Sequence, residues 1–226
     1  MAFNFVRATV VSGVLCAGVV HAGSDLGSAH FTVKGEIKPV ACSGIFNGGG
    51  GYYYWVIDPK KIAESSGGYV YFTDRPKQDF IINCDAPASL SVKFIDNMSG
   101  KVPSDRVGTA DSFGLHSNAA DPIGFHYFHM SDRYLNVTGA DGKTVKSVMH
   151  GVSPDNKNWD KLEKGSTWFS VKGDGSFYTA IDSNKKPVSF KSLQSTIASV
   201  LAIKKGVSLK DEVNFEGVVT MELNYI

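Results

Sequence analysis

Short runs in which apolar and polar residues alternate, separated by turn-forming residues, dominate this chain, and no stretch carries a convincing helical repeat. Residues 31–41 alternate and lead straight into Cys42. After a break at Asn47 and Gly48 to Gly51, Tyr52-Tyr-Tyr-Trp-Val-Ile57 reads as a strand. Residues 80–84 and 89–95 read as strands on either side of a turn at Asp85-Ala-Pro87, and 124–130 and 134–138 follow. Asp141-Gly142, between 136–138 and 144–149, is a hairpin signal, and Asp174-Gly175, between 168–172 and 176–181, is another. Residues 192–205 are the one ambiguous segment. Leu193, Ile197, Val200, Leu201 and Lys204 suit a helix face, whereas β-branched Thr196, Ile197 and Val200 favour a strand, which is the reading adopted.

The chain ends on a further alternating run. Val213, Phe215, Val219, Met221, Leu223 and Tyr225 share one face, Gly217 falls among them, and Ile226 is last. Many short strands with polar stretches at 97–122 and 150–166 as surface loops predict an all-β, immunoglobulin-like sandwich with long insertions.

Residues 1–22 form a secretory leader. Arg7 supplies the basic n-region, an apolar run spans 8–20, and Val20-His21-Ala22 places small residues ahead of a cut before Gly23. The run is too short to cross a bilayer, which takes about 20 residues. Removing the leader takes away Arg7 and no acidic residue, leaving 22 basic and 22 acidic side chains. A formally neutral chain has no basic face for nucleic acid or anionic lipid, so neither is expected as a partner, and stable membrane insertion is not expected. Cys42 and Cys84 are the remaining thiols in a chain bound for an oxidising space, and a disulfide between them is expected.

Catalytic and metal chemistry find little purchase. His126-Tyr-Phe-His129 is the most metal-like cluster, but residues three apart on a strand project to opposite faces and cannot share an ion. No Gly-x-Ser-x-Gly marks a hydrolase nucleophile. Gly48 to Gly51 lack the lysine and following helix of a phosphate cradle and read as a turn. No enzyme activity, cofactor or metal is expected. The aromatic run Tyr52, Tyr53, Tyr54 and Trp55 is a candidate ligand surface, since exposed rings stack on sugar faces; Trp159 and Trp168, near polar loops, are candidates on a similar footing.

Lys34-Gly-Glu-Ile-Lys-Pro-Val-Ala-Cys42 resembles the first strand of bacterial chaperone–usher fimbrial subunits. In that family a Gly-acidic-apolar stretch leads into the first cysteine, and the second follows on the next core strand, as Cys84 does in Ile82-Asn-Cys-Asp-Ala-Pro87. The terminal strand, with Gly217 and the penultimate Tyr225, is similar too. Cys84-Asp-Ala-Pro-Ala-Ser-Leu-Ser-Val-Lys-Phe-Ile-Asp-Asn97, then Ser112-Phe-Gly-Leu115 and Ile123-Gly124, is similar to the fimbrial-like GltF-type periplasmic proteins.

The resemblance implies a pilin-type sandwich over 34–226 that lacks its last strand, with an apolar groove beside the terminal strand. A periplasmic chaperone fills that groove and captures the carboxylate of Ile226. At the outer-membrane usher the N-terminal extension of a neighbouring subunit replaces the chaperone. The extension here is 23–33, with Ala29, Phe31 and Val33 in one register and Leu26 in the other, a short and polar donor by the family's pattern. A structural fimbrial subunit at the cell surface, with a host or glycan receptor, is therefore expected. A self-contained periplasmic binding module, holding a glycan on loop aromatics, is the alternative.

Overall fold

The computed structural model describes residues 40–47, 55–63, 67–73, 77–107, 109–119, 121–162, 168–207 and 212–226. The leader, the extension with Ala29, Phe31 and Val33, and Tyr52, Tyr53 and Tyr54 lie outside the described residues. In chain order the strands are β1 (Cys42–Phe46), β2 (Tyr69–Phe72), β3 (Gln78–Ala88), β4 (Leu90–Asp96), β5 (Phe113–Gly114), β6 (His116–Ser117), β7 (Gly124–Met130), β8 (Asn136–Thr138), β9 (Met149–Ser153), β10 (Asp160–Lys161), β11 (Phe169–Ser170), β12 (Phe177–Ile181), β13 (Phe190–Lys204), β14 (Phe215–Glu216) and β15 (Val219–Tyr225). Among the described residues the one α-helix is α1 (Pro59–Ala63).

Two antiparallel sheets carry the fold. The first runs β1-β3-β13-β7-β11, with β2 and β8 also on β13 and β5 on β7; the second runs β10-β9-β12-β4-β15. A small ribbon pairs β14 with β6. Their inner faces meet in one core, where Phe80, Ile82 and Leu193 of the first sheet pack with Leu90, Val92, Phe94 and Tyr178 of the second. A smaller cluster gathers Ile62 of α1 with Leu115, Ile123, Leu201 and Ile203. Cys42 and Cys84 are directly opposite in the β1–β3 register and form the expected disulfide.

The ambiguous 192–205 segment is the centre of the first sheet. Ile197 and Leu201 are buried on one face of β13, Val200 and Ala202 on the other. A strand covered on both sides does not alternate, which is why its pattern also suited a helix.

Several local expectations are corrected. Asp85-Ala-Pro87 is not a turn, because β3 continues to Ala88. Pro87 needs no N–H there: β1 pairs only as far as Cys84, and the β3–β13 register shifts between Phe190 and Ser192. The chain changes sheets at Ser89 alone. The Asp141-Gly142 turn is present, with Gly142 at φ 74° and the Gly139 N–H donating to the Lys143 carbonyl over 2.9 Å. Its second arm holds a single bridge at Thr144 rather than a strand over 144–149. Asp174-Gly175 turns too, but its arms part, β11 joining the first sheet and β12 the second. Trp55 to Ile57 are not strand, nor are Val40 and Ala41, and β1 begins at the cysteine; the rest of the expected run, 31–39, lies outside the described residues. The expected loops 97–122 and 150–166 contain the short strands β5, β6 and β10 and part of β9.

Candidate functional site

The terminal run is broken where its glycine lies. Phe215 and Glu216 pair with β6, Gly217 and Val218 leave both ladders, and β15 then pairs with β4 from Val219↔Asp96 to Tyr225↔Leu90. Val213, Phe215, Val219, Met221 and Leu223 are half-buried, whereas Tyr225 is 54% exposed. Its hydroxyl donates to the Val40 carbonyl, tying the end of β15 to the residues before β1. The Ile226 N–H donates to the Ser89 carbonyl over 3.1 Å.

Beneath this segment lies a cleft of about 370 Å³. Its floor is the inner face of the first sheet, with His126 and Phe128 from β7 and Ile197, Ser199 and Leu201 from β13. The terminal run from Val213 to Met221 forms one wall, Phe94 lies deep, and Phe46 and Trp55 stand at the sides. Phe46 belongs to β1 and Val219 and Met221 to β15, the edge strands of the first and second sheets. Among the described residues β15 pairs on one side only, with β4, and β1 on one side only, with β3. Exposed apolar side chains are spread over the described surface, with Ile45 on β1, Tyr225 on β15 and Ile226 beyond it, and Val56, Tyr71 and Val107 elsewhere.

One polar atom beside this apolar space is sealed without a partner. His126 is 8% exposed and packs between the rings of Phe113 (centroids 5.6 Å apart) and Phe128 (5.4 Å). Its Nε2 is buried and makes no hydrogen bond. Burial pushes its pKa down to about 4, against a smaller opposing pull from the Asp96 carboxylate, so the ring is neutral near pH 7. Gly217 lies directly over it, and a Cβ there would sit 2.5 Å from Nε2. His129 is on the opposite face of β7, beside Tyr127, so the two histidines do not converge. Among the described residues no group of three or more metal-binding side chains occurs.

A second constellation, unannounced in the sequence, joins the sheets. His150 on β9 sends Nδ1 to Asp132 Oδ1 at 2.8 Å and Nε2 to Ser195 Oγ on β13 at 2.9 Å. The carboxylate only accepts, so Nδ1 carries the proton and Ser195 donates its hydroxyl to Nε2. The His150 backbone N–H donates to the same Asp132 oxygen over 2.7 Å. Desolvation works against the Asp132 charge, but these bonds from His150 prevail and hold its carboxyl below the usual range. The order Asp, His, Ser suggests a nucleophile, yet Ser195 is 3% exposed in mid-strand. The adjoining cavity is about 20 Å³, room for a single water and not for an acyl substrate. The arrangement serves as a polar bridge between the sheets. Separations of 18 and 45 residues, with no motif between, hide it from sequence reading.

Of the aromatic candidates, Trp55, Trp159 and Trp168 are among the described residues. Trp55 is half-buried against Phe72 (6.1 Å) in the cleft wall, and Trp159 is buried in the protein. Trp168 stacks on Tyr134 at 5.4 Å, with Lys77 Nζ 4.7 Å from both rings.

Fold and site together define an all-β protein of two antiparallel sheets whose edge strands flank an apolar cleft. No family model, curated protein or solved structure matches the chain.

Proposed function

We propose that this chain is a structural subunit that takes a strand from another polypeptide into the cleft, and so joins a fibre at the cell surface. The observation that carries the reading is the placement of one edge strand from each sheet beside a cleft lined with Phe46, Phe94, Phe128, Val219 and Met221. An entering strand finds unpaired main-chain groups along β15 and apolar space for its alternate side chains. Those are the two requirements of strand addition.

The occupant proposed is segment 23–36 of a second copy, or the equivalent segment of a neighbouring subunit, with Ala29, Phe31 and Val33 inward. An exported chain with this exposed edge would need a periplasmic chaperone before an outer-membrane usher presents it for assembly. The immunoglobulin-like, strand-deficient form of the sandwich belongs to this proposal. The test is thermal unfolding and size of the purified chain lacking residues 1–36, with and without a synthetic peptide of residues 23–36. A rise of several degrees with saturable binding is expected. A truncated chain that is stable, monomeric and indifferent to the peptide overturns the reading.

A further inference from the structure

The face of the first sheet turned away from the cleft carries a row of rings of its own. On β7, His126 and Phe128 line the cleft, so Phe125, Tyr127 and His129 project from the other side. Tyr71 of β2 is level with Ala202 of β13, which is level in turn with Phe125, so all three share that outer face. With only an alanine between them, the Tyr71 ring meets the Phe125 ring edge-on at 6.4 Å. Tyr127 stacks beside Phe125 at 6.1 Å, and His129 meets Tyr127 at 5.0 Å. Phe125 is buried, with the Arg106 guanidinium 4.5 Å from its ring, while Tyr71 is 52% exposed and Tyr127 and His129 are half-buried.

The polar ends of this row are unpartnered. Tyr69, Tyr134, Tyr178 and Tyr225 each engage the phenol oxygen in a hydrogen bond within the chain. Among the described residues the hydroxyls of Tyr71 and Tyr127 and the imidazole of His129 bond to no protein group. Burial, with Tyr71 and Asp111 beside it, pushes the Tyr127 phenol up. Burial also lowers the His129 imidazole against the pull of Asp111, so both side chains are neutral near pH 7. Arg106 and Asp111 border the row and pair with each other at 3.4 Å.

We infer that this outer face binds a neutral saccharide, its ring lying on Tyr71 and Tyr127 and its hydroxyls bonded to the two phenols, His129 and Asp111. The site is on the opposite face of the sheet from the cleft, so the inference goes beyond the strand-accepting reading and does not depend on it. A pyranose has a C–H face that covers an aromatic ring, and a rim of hydroxyls that donate and accept, as phenol and neutral imidazole do. An apolar ligand would seal those polar ends without partners. A charged ligand would meet one attractive and one repulsive neighbour in Arg106 and Asp111. A peptide strand finds no ladder over Tyr127 and His129, because β7 pairs with β13 on one side and with β5 and β11 on the other. The exposed ring pair Tyr134 and Trp168 is a poorer platform, since Lys77 Nζ already lies 4.7 Å over both rings.

The test is calorimetric titration of the chain lacking residues 1–22 with four soluble neutral oligomers: cellohexaose, maltohexaose, mannohexaose and galactohexaose. Saturable binding of at least one is expected, weakened about tenfold in Tyr71→Ala and in Tyr127→Ala. Tyr71→Phe, which keeps the ring and removes the hydroxyl, should lose less than Tyr71→Ala. Trp168→Ala should bind as the unaltered chain does. Tyr71 is largely in solvent, so its variants should unfold at the same denaturant midpoint, which keeps a loss of affinity from being a loss of fold. No binding of any of the four at millimolar sugar overturns the inference. So does undiminished affinity in Tyr71→Ala, or displacement of the sugar by the peptide of residues 23–36, which would put it in the cleft. The strand-accepting reading stands or falls separately, on its own peptide titration.

Discussion

Replacing Ser195 by alanine should destabilise the fold by about 2 kcal/mol, a larger effect than removal of one hydroxyl ordinarily has. The hydroxyl is 2.9 Å from His150 Nε2, and the Asp132 carboxylate obliges that nitrogen to accept. Without Ser195 the acceptor is left buried and unbonded, at about 1–3 kcal/mol. Met130 Sδ, 3.8 Å from Ser195 Oγ, has no proton with which to replace it. For a chain of this size about 2 kcal/mol lowers Tm by roughly 4–8 °C. The assay is denaturant unfolding at pH 7 with the disulfide intact, run as a cycle with His150→Phe. In the His150→Phe background the ring nitrogen is gone, so Ser195→Ala should cost close to nothing. A Ser195→Ala cost below about 0.5 kcal/mol, or the same cost in both backgrounds, would refute the bridge.

Four further outcomes follow from the geometry. The unfolded chain binds a proton on His126 below about 6.5, the native chain only below about 4, so stability should fall by roughly 3 kcal/mol as pH drops between them; His126→Leu should flatten that slope in unfolding curves. The Asp132 carboxyl is depressed in the native state, so its contribution is full above the ordinary aspartate range and drains as pH falls below it, a separate and lower window that Asp132→Asn should remove. Gly217→Ala should cost about 1–3 kcal/mol in the same assay, because Leu115 and the His126 ring must move to admit a Cβ. Converting Cys42 and Cys84 to serine closes no loop in the unfolded chain and should cost about 4 kcal/mol, read as a drop in the denaturant midpoint.

Alternation was enough to find β7 and to put its histidines on opposite faces, because β7 carries inward His126, Phe128 and Met130 against Phe125, Tyr127 and His129. It was enough for β15 as well, where Val219, Met221 and Leu223 point inward. Where both faces are buried the signal fails, and β13 was legible only through its β-branched residues. Turn chemistry misled at Asp85-Ala-Pro87, since a register shift lets proline sit within a strand. It misled again at Asp174-Gly175, since a tight turn does not reveal that its arms enter different sheets. The terminal strand was legible from its alternation. The floor of the cleft was not, for β7 and β13 converge there through pairings between residues far apart in sequence, such as Leu201↔His126.

The two buried histidines make the site legible in physical terms. His150 and His126 are both sealed from water, both neutral or hydrogen-bonded within an aromatic setting, and both on strands of the same core. His150 has a partner at each nitrogen, from an acid on one side and a hydroxyl on the other. A fold that can satisfy one imidazole so fully is not short of polar side chains to satisfy a second, and Ser199 lines the same cleft as His126 without bonding to it. The unbonded nitrogen is sealed beneath Gly217 and Leu115, out of reach of solvent and of Ser199. An acceptor or donor so placed costs the fold about 1–3 kcal/mol, so His126→Leu should raise stability near neutral pH.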